Sequence, residues 1–205
     1  MIHVKICGVT SVDDAAMCVE AGADAIGLNF APSSPRCLDL ATARAIVRVI
    51  PPQVIPVGVF VDADHETLIR YRDDVGLRCL QLHGDEPPEL LAQLGPHAYK
   101  ALRVRGPSVL QEAERYPGDF LLLDAYVPGV HGGSGARFDW NLALELGRTR
   151  KLTLAGGLTP DNVRQAVEAV RPFCVDVASG VESAPGKKDA ARVRAFVQNA
   201  KASAN

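Results

Sequence analysis

Short apolar runs alternate with amphipathic stretches from one end of this 205-residue chain to the other, and eight such pairs can be counted. That alternation constrains the fold most. A strand rejoins a parallel neighbour only through a crossover of roughly a dozen residues or more, which a helix supplies. The strand candidates fall near residues 3–7, 24–29, 54–60, 78–82, 98–103, 119–123, 151–155 and 174–178. Helix candidates fall between and after them, near 11–21, 39–49, 64–73, 87–94, 107–115, 139–147, 160–170 and 188–200. Ser11, Asp39 and Asp64 stand where a side-chain oxygen can accept from the free N–H groups of a first helical turn. Pro160 suits the opening turn of the seventh helix.

Eight strand-helix units predict an α/β chain folded as a (β/α)8 TIM barrel, with residues 1–205 as a single domain near the lower end of the size range for that fold. The chain is 47% hydrophobic, enough for one substantial core, and no linker or composition shift marks a boundary. An open doubly wound sheet is the alternative. It would place a Gly-x-Gly-x-x-Gly fingerprint after the first strand, where Lys5-Ile6-Cys7-Gly8-Val9-Thr10 stands instead. The longest irregular stretch, about 125–138, is rich in glycine. Long loops in compact domains are often functional, so a lid over the site is expected there.

A formal net charge of -2, with no basic stripe interleaved with aromatics, argues against a nucleic-acid partner. No apolar stretch approaches the roughly 18 residues needed to span a bilayer, and Met1-Ile2-His3-Val4-Lys5 runs straight into a strand. A soluble, cytoplasmic protein is expected. Cys7, Cys18, Cys37, Cys79 and Cys174 are odd in number and lack metal-ligand spacing, which fits a reducing compartment and no bound metal.

Chemistry enters at the strand ends. Ala155-Gly156-Gly157-Leu158-Thr159-Pro160 and Ala178-Ser179-Gly180-Val181-Glu182 follow the last two strands. Glycine lets backbone approach an anion closely, and a following helix aims free N–H groups at it. Paired after strands seven and eight, these loops read as a phosphate cup built on Gly156, Gly157, Ser179 and Gly180.

Alternation puts His3, Lys5 and Cys7 on one face of the first strand, with Cys7 at its C-terminal mouth. Cys7 is either a small packing residue or a catalytic thiol. Asp124 closes the apolar run Phe120-Leu121-Leu122-Leu123, where a carboxylate needs a partner or a task. It is either a cap or an acid. Arg36 lies in a loop stiffened by Pro32 and Pro35, and is either an ordinary surface arginine or a fork for a carboxylate. Gln81 and His83 share a face at the end of strand four, and Asp176 lies near the end of strand eight. These three either contact substrate or play structural parts, with His83 capping the loop before Asp85 and Glu86 and Asp176 pairing with Lys5.

The ordered set of segments resembles the phosphoribosylanthranilate isomerase family, of the ribulose-phosphate-binding barrel type. It comprises Lys5-Ile6-Cys7-Gly8, Phe30 through Ser34-Pro35-Arg36, Val57-Gly58-Val59-Phe60, Gln81-Leu82-His83-Gly84, Leu123-Asp124 and Gly132-Gly133-Ser134-Gly135 with Phe138 and Trp140. It continues with Leu154-Ala155-Gly156-Gly157-Leu158, Val175-Asp176-Val177 through Glu182, and Pro185-Gly186-Lys187-Lys188-Asp189. The cysteine-glycine start and the Ser-Pro-Arg loop are its most specific parts. Ser134 and Ala178 depart from it, standing where threonine and serine are expected.

The resemblance implies an Amadori rearrangement of N-(5'-phosphoribosyl)anthranilate to 1-(2-carboxyphenylamino)-1-deoxyribulose 5-phosphate, a step of tryptophan biosynthesis. It makes Asp124 the general acid and Cys7 the general base, the thiol lowered by nearby positive charge, for which Lys5 is one source unless Asp176 neutralises it. Arg36 takes the anthranilate carboxylate, the glycine loops take the phosphate, and residues 132–135 close over the substrate. No cofactor or metal is expected, and the only partner expected besides the phosphosugar is a second copy, the chain being a monomer or a homodimer. Another phosphosugar isomerase of this fold would carry an aspartate at the first-strand mouth, where Cys7 stands. A non-catalytic anion-binding module would explain the cup but not Cys7, Asp124 and Arg36 together.

Overall fold

In the computed structural model, which describes residues 2–124 and 140–202, eight parallel strands close into a barrel in sequence order. The strands are β1 (His3–Cys7), β2 (Ala25–Asn29), β3 (Ile55–Phe60), β4 (Cys79–Leu82), β5 (Ala98–Arg103), β6 (Phe120–Asp124), β7 (Lys151–Ala155) and β8 (Cys174–Val177). Pairing of β1 with both β2 and β8, the latter in the register Lys5 to Asp176, completes the ring. The open doubly wound sheet is thereby ruled out.

The crossover helices are α1 (Val12–Glu20), α2 (Leu40–Val49), α3 (His65–Val75), α4 (Pro88–Leu94), α5 (Val109–Glu114), α6 (Trp140–Gly147), α7 (Val163–Val170) and α8 (Ala190–Ala202). Ser11, Asp39 and Asp64 cap the first three, accepting from the N–H groups of Asp14, Thr42 and Thr67 at 3.1, 2.8 and 2.8 Å. The seventh helix begins later than its proline suggests. Asn162 is its cap residue, and the Asn162 side chain accepts from the Thr159 N–H at 2.8 Å, so Pro160 belongs to the preceding turn. The chain after β8 also departs from a simple loop. A 3-10 turn, Ser179–Val181, leads into a hairpin of β9 (Glu182–Ala184) and β10 (Lys187–Lys188) before α8 begins.

The main core lies between the strands' outer faces and the helices, with Ile6, Ile26, Leu28, Leu80, Leu121 and Phe196 fully buried. Inside the barrel a smaller apolar group, Val57, Tyr99, Ala101, Leu122 and Ala155, shares the space with buried Lys5, Gln81 and Asp176. Polar groups there need partners, because an unpaired charge inside a barrel is costly. At the N-terminal mouth an apolar cavity of about 740 Å3 opens between Ile55, Tyr99, Phe120 and Phe173. It lies at the opposite end from Cys7 and Asp124. No described helix is long and apolar enough to cross a membrane. The expected lid at 125–138, including Gly132 to Gly135, lies outside the described residues.

Candidate active site

A cavity of about 230 Å3 opens at the C-terminal mouth of the barrel, and every candidate site residue lines it: Cys7, Arg36, Gln81, His83, Asp124, Gly156, Gly157, Asp176, Ser179 and Gly180. They come from the ends of β1, β4, β6 and β8 and from the loops after β2, β7 and β8. Parallel strands in a barrel bring all their C-terminal ends to one rim, so residues far apart in the chain converge there.

The two glycine loops meet. A Cβ on Gly180 would collide with the Leu158 carbonyl oxygen, and Gly156 and Gly157 take φ of 90° and 66°, a backbone region that favours glycine. Both loops therefore need bare backbone to form one concave wall. Gly180 lies within the short 3-10 turn Ser179–Val181 rather than ahead of a long helix, so this loop presents local N–H groups to the cavity and not a long helix dipole.

Cys7 is half-buried at the end of β1, and β2 is bare beside it. A Cβ on Gly27 would come within 2.7 Å of the Cys7 Sγ. Burial pushes the thiol up, and the Lys5 ammonium, which pulls it down, does not overcome that. The expected lowering of Cys7 is thus absent. The reason is that Lys5 is itself paired, its Nζ 2.7 Å from Asp176 Oδ2, and the Asp176 charge opposes it at the thiol. Titrating the thiolate by ultraviolet absorbance, as the difference between the protein and its Cys7→Ser variant, is expected to place Cys7 above the ordinary thiol value of about 8.5. A midpoint at or below neutral pH would mean that local positive charge beats burial.

Arg36 is held rather than free. Its Nε and Nη2 donate to Glu182 Oε1 and Oε2 at 2.8 and 2.6 Å, and its aliphatic stem lies over Gly8, where a Cβ would collide with it. Of its five N–H donors, the pair on the Nε edge is spent, leaving those of Nη1 and one of Nη2 for a ligand. Glu182 is in turn gripped by Lys188, whose Nζ lies 2.7 Å from Oε1 and also donates to the carbonyls of Cys7 at 2.6 Å and Ala178 at 3.2 Å. One buried lysine so ties the loops after β1 and β8 and, through Glu182, orients the arginine after β2. Burial raises Glu182, but the bonds from Arg36 and Lys188 outweigh it and hold the carboxyl below its ordinary value. Sequence reasoning gave Glu182 and Lys188 no role. No local signal marks Lys188 as buried beside the exposed Lys187.

Asp124 sits at the end of β6, 3.3 Å through Oδ2 from His83 Nε2. His83 does not cap the loop before Asp85 and Glu86. Glu86 does that itself, accepting from the N–H groups of Asp62 and Gly84 at 2.9 and 3.0 Å, with Lys100 Nζ 2.7 Å from its other oxygen. This frees the imidazole to face the cavity.

A parallel barrel with a wall of bare glycine backbone, a thiol, a carboxyl and an oriented arginine on one rim belongs to the class of enzymes that work by acid-base chemistry at the C-terminal mouth of a barrel. Residues 4–199 match the profile of the family described as N-(5'phosphoribosyl)anthranilate (PRA) isomerase. The N-(5'-phosphoribosyl)anthranilate isomerases of Myxococcus xanthus and Pseudomonas aeruginosa are 52% and 53% identical to the chain, covering 98% and 96% of it and 96% and 93% of their own lengths. The crystal structure of phosphoribosyl anthranilate isomerase from Thermotoga maritima superimposes with a TM-score of 0.90 at 44% identity, over 98% of this chain and all of that one. A second crystal structure, of a phosphoribosyl anthranilate isomerase in complex with reduced 1-(o-carboxyphenylamino)-1-deoxyribulose 5-phosphate, gives 0.86 at 42% identity, with coverage of 98% and 100%. The chain belongs to the N-(5'-phosphoribosyl)anthranilate isomerase family, and it is an isomerase.

Proposed function

We propose that this rim rearranges N-(5'-phosphoribosyl)anthranilate to 1-(2-carboxyphenylamino)-1-deoxyribulose 5-phosphate with Asp124 as acid and Cys7 as base. The single observation that carries the assignment is the convergence of both groups, the glycine loops and Arg36 on one cavity. Asp124 protonates the furanose ring oxygen, the C1–O bond breaks, and the anilino nitrogen's lone pair forms a Schiff base at C1. The thiolate fraction of Cys7, a minor one at neutral pH because burial pushes the thiol up, then removes the C2 proton, leaving an enolamine that tautomerises to the ketose. Each step moves one proton, so one positioned acid and one positioned base suffice.

The loops of Gly156, Gly157, Ser179 and Gly180 hold the phosphate through backbone N–H groups, and the Ser179 hydroxyl adds to them. Ala178 brings no hydroxyl, which such a cup does not need. Arg36, kept in orientation by Glu182, takes the anthranilate carboxylate with its remaining donors. Fixing both ends sets C2 and the ring oxygen between base and acid, which supplies much of the rate advantage. Gln81 and Asp176 support this arrangement from beneath, and His83 stands at its wall.

In this reading the chain works as a single barrel domain in the cytoplasm. One protomer carries the whole site, so a monomer or a homodimer would serve; a related phosphoribosyl anthranilate isomerase of Thermotoga maritima is dimeric. The test follows the fluorescence of freshly generated phosphoribosylanthranilate. Its loss is expected to need only the purified chain, and no consumption would overturn the proposal.

A further inference from the structure

A line of hydrogen bonds crosses the barrel interior from β1 to β6 and reaches Asp124. Lys5 Nζ lies 3.0 Å from Gln81 Oε1, and the Tyr99 hydroxyl donates to the same oxygen at 2.7 Å. Gln81 Nε2 is 2.8 Å from His83 Nδ1, and His83 Nε2 is 3.3 Å from Asp124 Oδ2. Lys5, Gln81 and Tyr99 are all buried, with Lys5 and Gln81 no more than 2% exposed.

We propose that Lys5 and Tyr99, acting through Gln81, lock His83 in the neutral tautomer that carries its proton on Nε2 and presents it to Asp124. Donors must meet acceptors at each contact along the line. An ammonium has donors only, so the Gln81 atom facing Lys5 must be the carbonyl oxygen, and the Tyr99 hydroxyl reinforces that choice. A flipped amide would set NH2 against the ammonium. The amide end facing His83 is therefore a donor, and the Nδ1 it meets must be a bare lone pair. A neutral ring bare at Nδ1 has its hydrogen on Nε2. Protonating Nδ1 as well would oppose two donors at 2.8 Å.

The consequence for the reaction rests on the reading of Asp124 as the acid. At 3.3 Å the bond from Nε2–H is long, beyond the usual range of about 2.7–3.2 Å. It holds the protonated carboxyl weakly. When Asp124 gives its proton to the ring oxygen, the same N–H faces a full carboxylate, and a charge-assisted bond is shorter and stronger. The histidine thus favours the developing charge more than the resting state, which lowers the barrier. Gln81, Lys5 and Tyr99 are positioning residues in this scheme, since they act through the ring.

The test is nitrogen NMR of the intact protein labelled with 15N-histidine, with the His83 signals assigned by their absence in His83→Asn. The wild-type protein is expected to show a pyridine-like Nδ1 and a pyrrole-like Nε2. Gln81→Glu replaces the amide donor with an acceptor and is expected to move hydrogen onto Nδ1, with kcat falling about tenfold or more while KM changes little. A wild-type Nδ1–H pattern overturns the proposal without any variant. So does Gln81→Glu with an unchanged pattern or an unchanged kcat. A fully active Asp124→Asn would instead overturn the role of Asp124 as acid, while the tautomer of His83 is read independently of turnover.

Discussion

Cys7→Ser and Asp124→Asn are each expected to lower isomerase turnover by about 100-fold or more, the ordinary cost of losing a positioned base or acid. The two substitutions are close in size to the originals, so they remove chemistry with little change of shape. Serine at position 7 keeps a small polar group at the end of β1 but cannot reach an anion at neutral pH. Asparagine at 124 can still accept the bond from His83 but has no proton to give. The effect should fall on kcat, because in the proposed function phosphate and carboxylate are bound elsewhere, at the glycine loops and Arg36, and KM should move little. Circular dichroism and thermal unfolding must show each variant folded for the comparison to count. Near-normal turnover in both would sink the assignment of roles.

Lys5→Met is expected to cost about 3–5 kcal/mol of stability, because it leaves Asp176 charged and alone inside the barrel. Lys5 is buried, its Nζ is 2.7 Å from Asp176 Oδ2, and Asp176 Oδ1 already has no hydrogen-bond partner among the described residues. Burial, the largest single influence, pulls the lysine down; the facing Asp176 carboxylate together with Cys7 and Tyr99 outweighs it and raises Lys5, which keeps the ammonium charged. Against a typical total of about 5–15 kcal/mol, such a loss is a large fraction, visible as a much lower urea midpoint. Removing the partner as well, in Lys5→Met with Asp176→Leu, is expected to recover much of it, since an apolar pair of similar volume avoids the desolvation cost. If the single variant unfolds at the wild-type midpoint, the ion pair contributes nothing. If the double variant is no better than the single, packing rather than charge is responsible.

Much of the barrel was legible beforehand because its signals are local. Ser11, Asp39 and Asp64 cap the helices they precede, since a cap depends on a side chain and an N–H three residues away. The strand ends that carry Cys7, His83 and Asp124 follow from period-two alternation along apolar runs, and closure brings them to one rim. Pro160 misled because a proline that suits a first helical turn also suits the turn before one, and Asn162 takes the cap position instead. The hairpin at 182–188 carried no alternating apolar pattern to reveal it.

The charge network was only partly legible, and Cys7 shows why: the pairing of Asp176 with Lys5 stood among the readings of the sequence and is found, but its weight at the thiol was not legible. Lys5 two residues before a thiol reads as an activating cation, yet its effect depends on Asp176, which lies 171 positions away in sequence and 2.7 Å away in space. Likewise Arg36 reads as an open fork until Glu182, 146 residues on, is seen to occupy one edge of it. By itself the sequence determined the strand-helix alternation, the caps, and the residue types at each strand end, because those rest on spacing and on neighbours a few positions apart. Only the tertiary structure decided which charges are buried together, which edge of Arg36 remains for a ligand, and which nitrogen of His83 faces Asp124. Burial and pairing are properties of space, and a closed barrel brings its first strand and its last side by side.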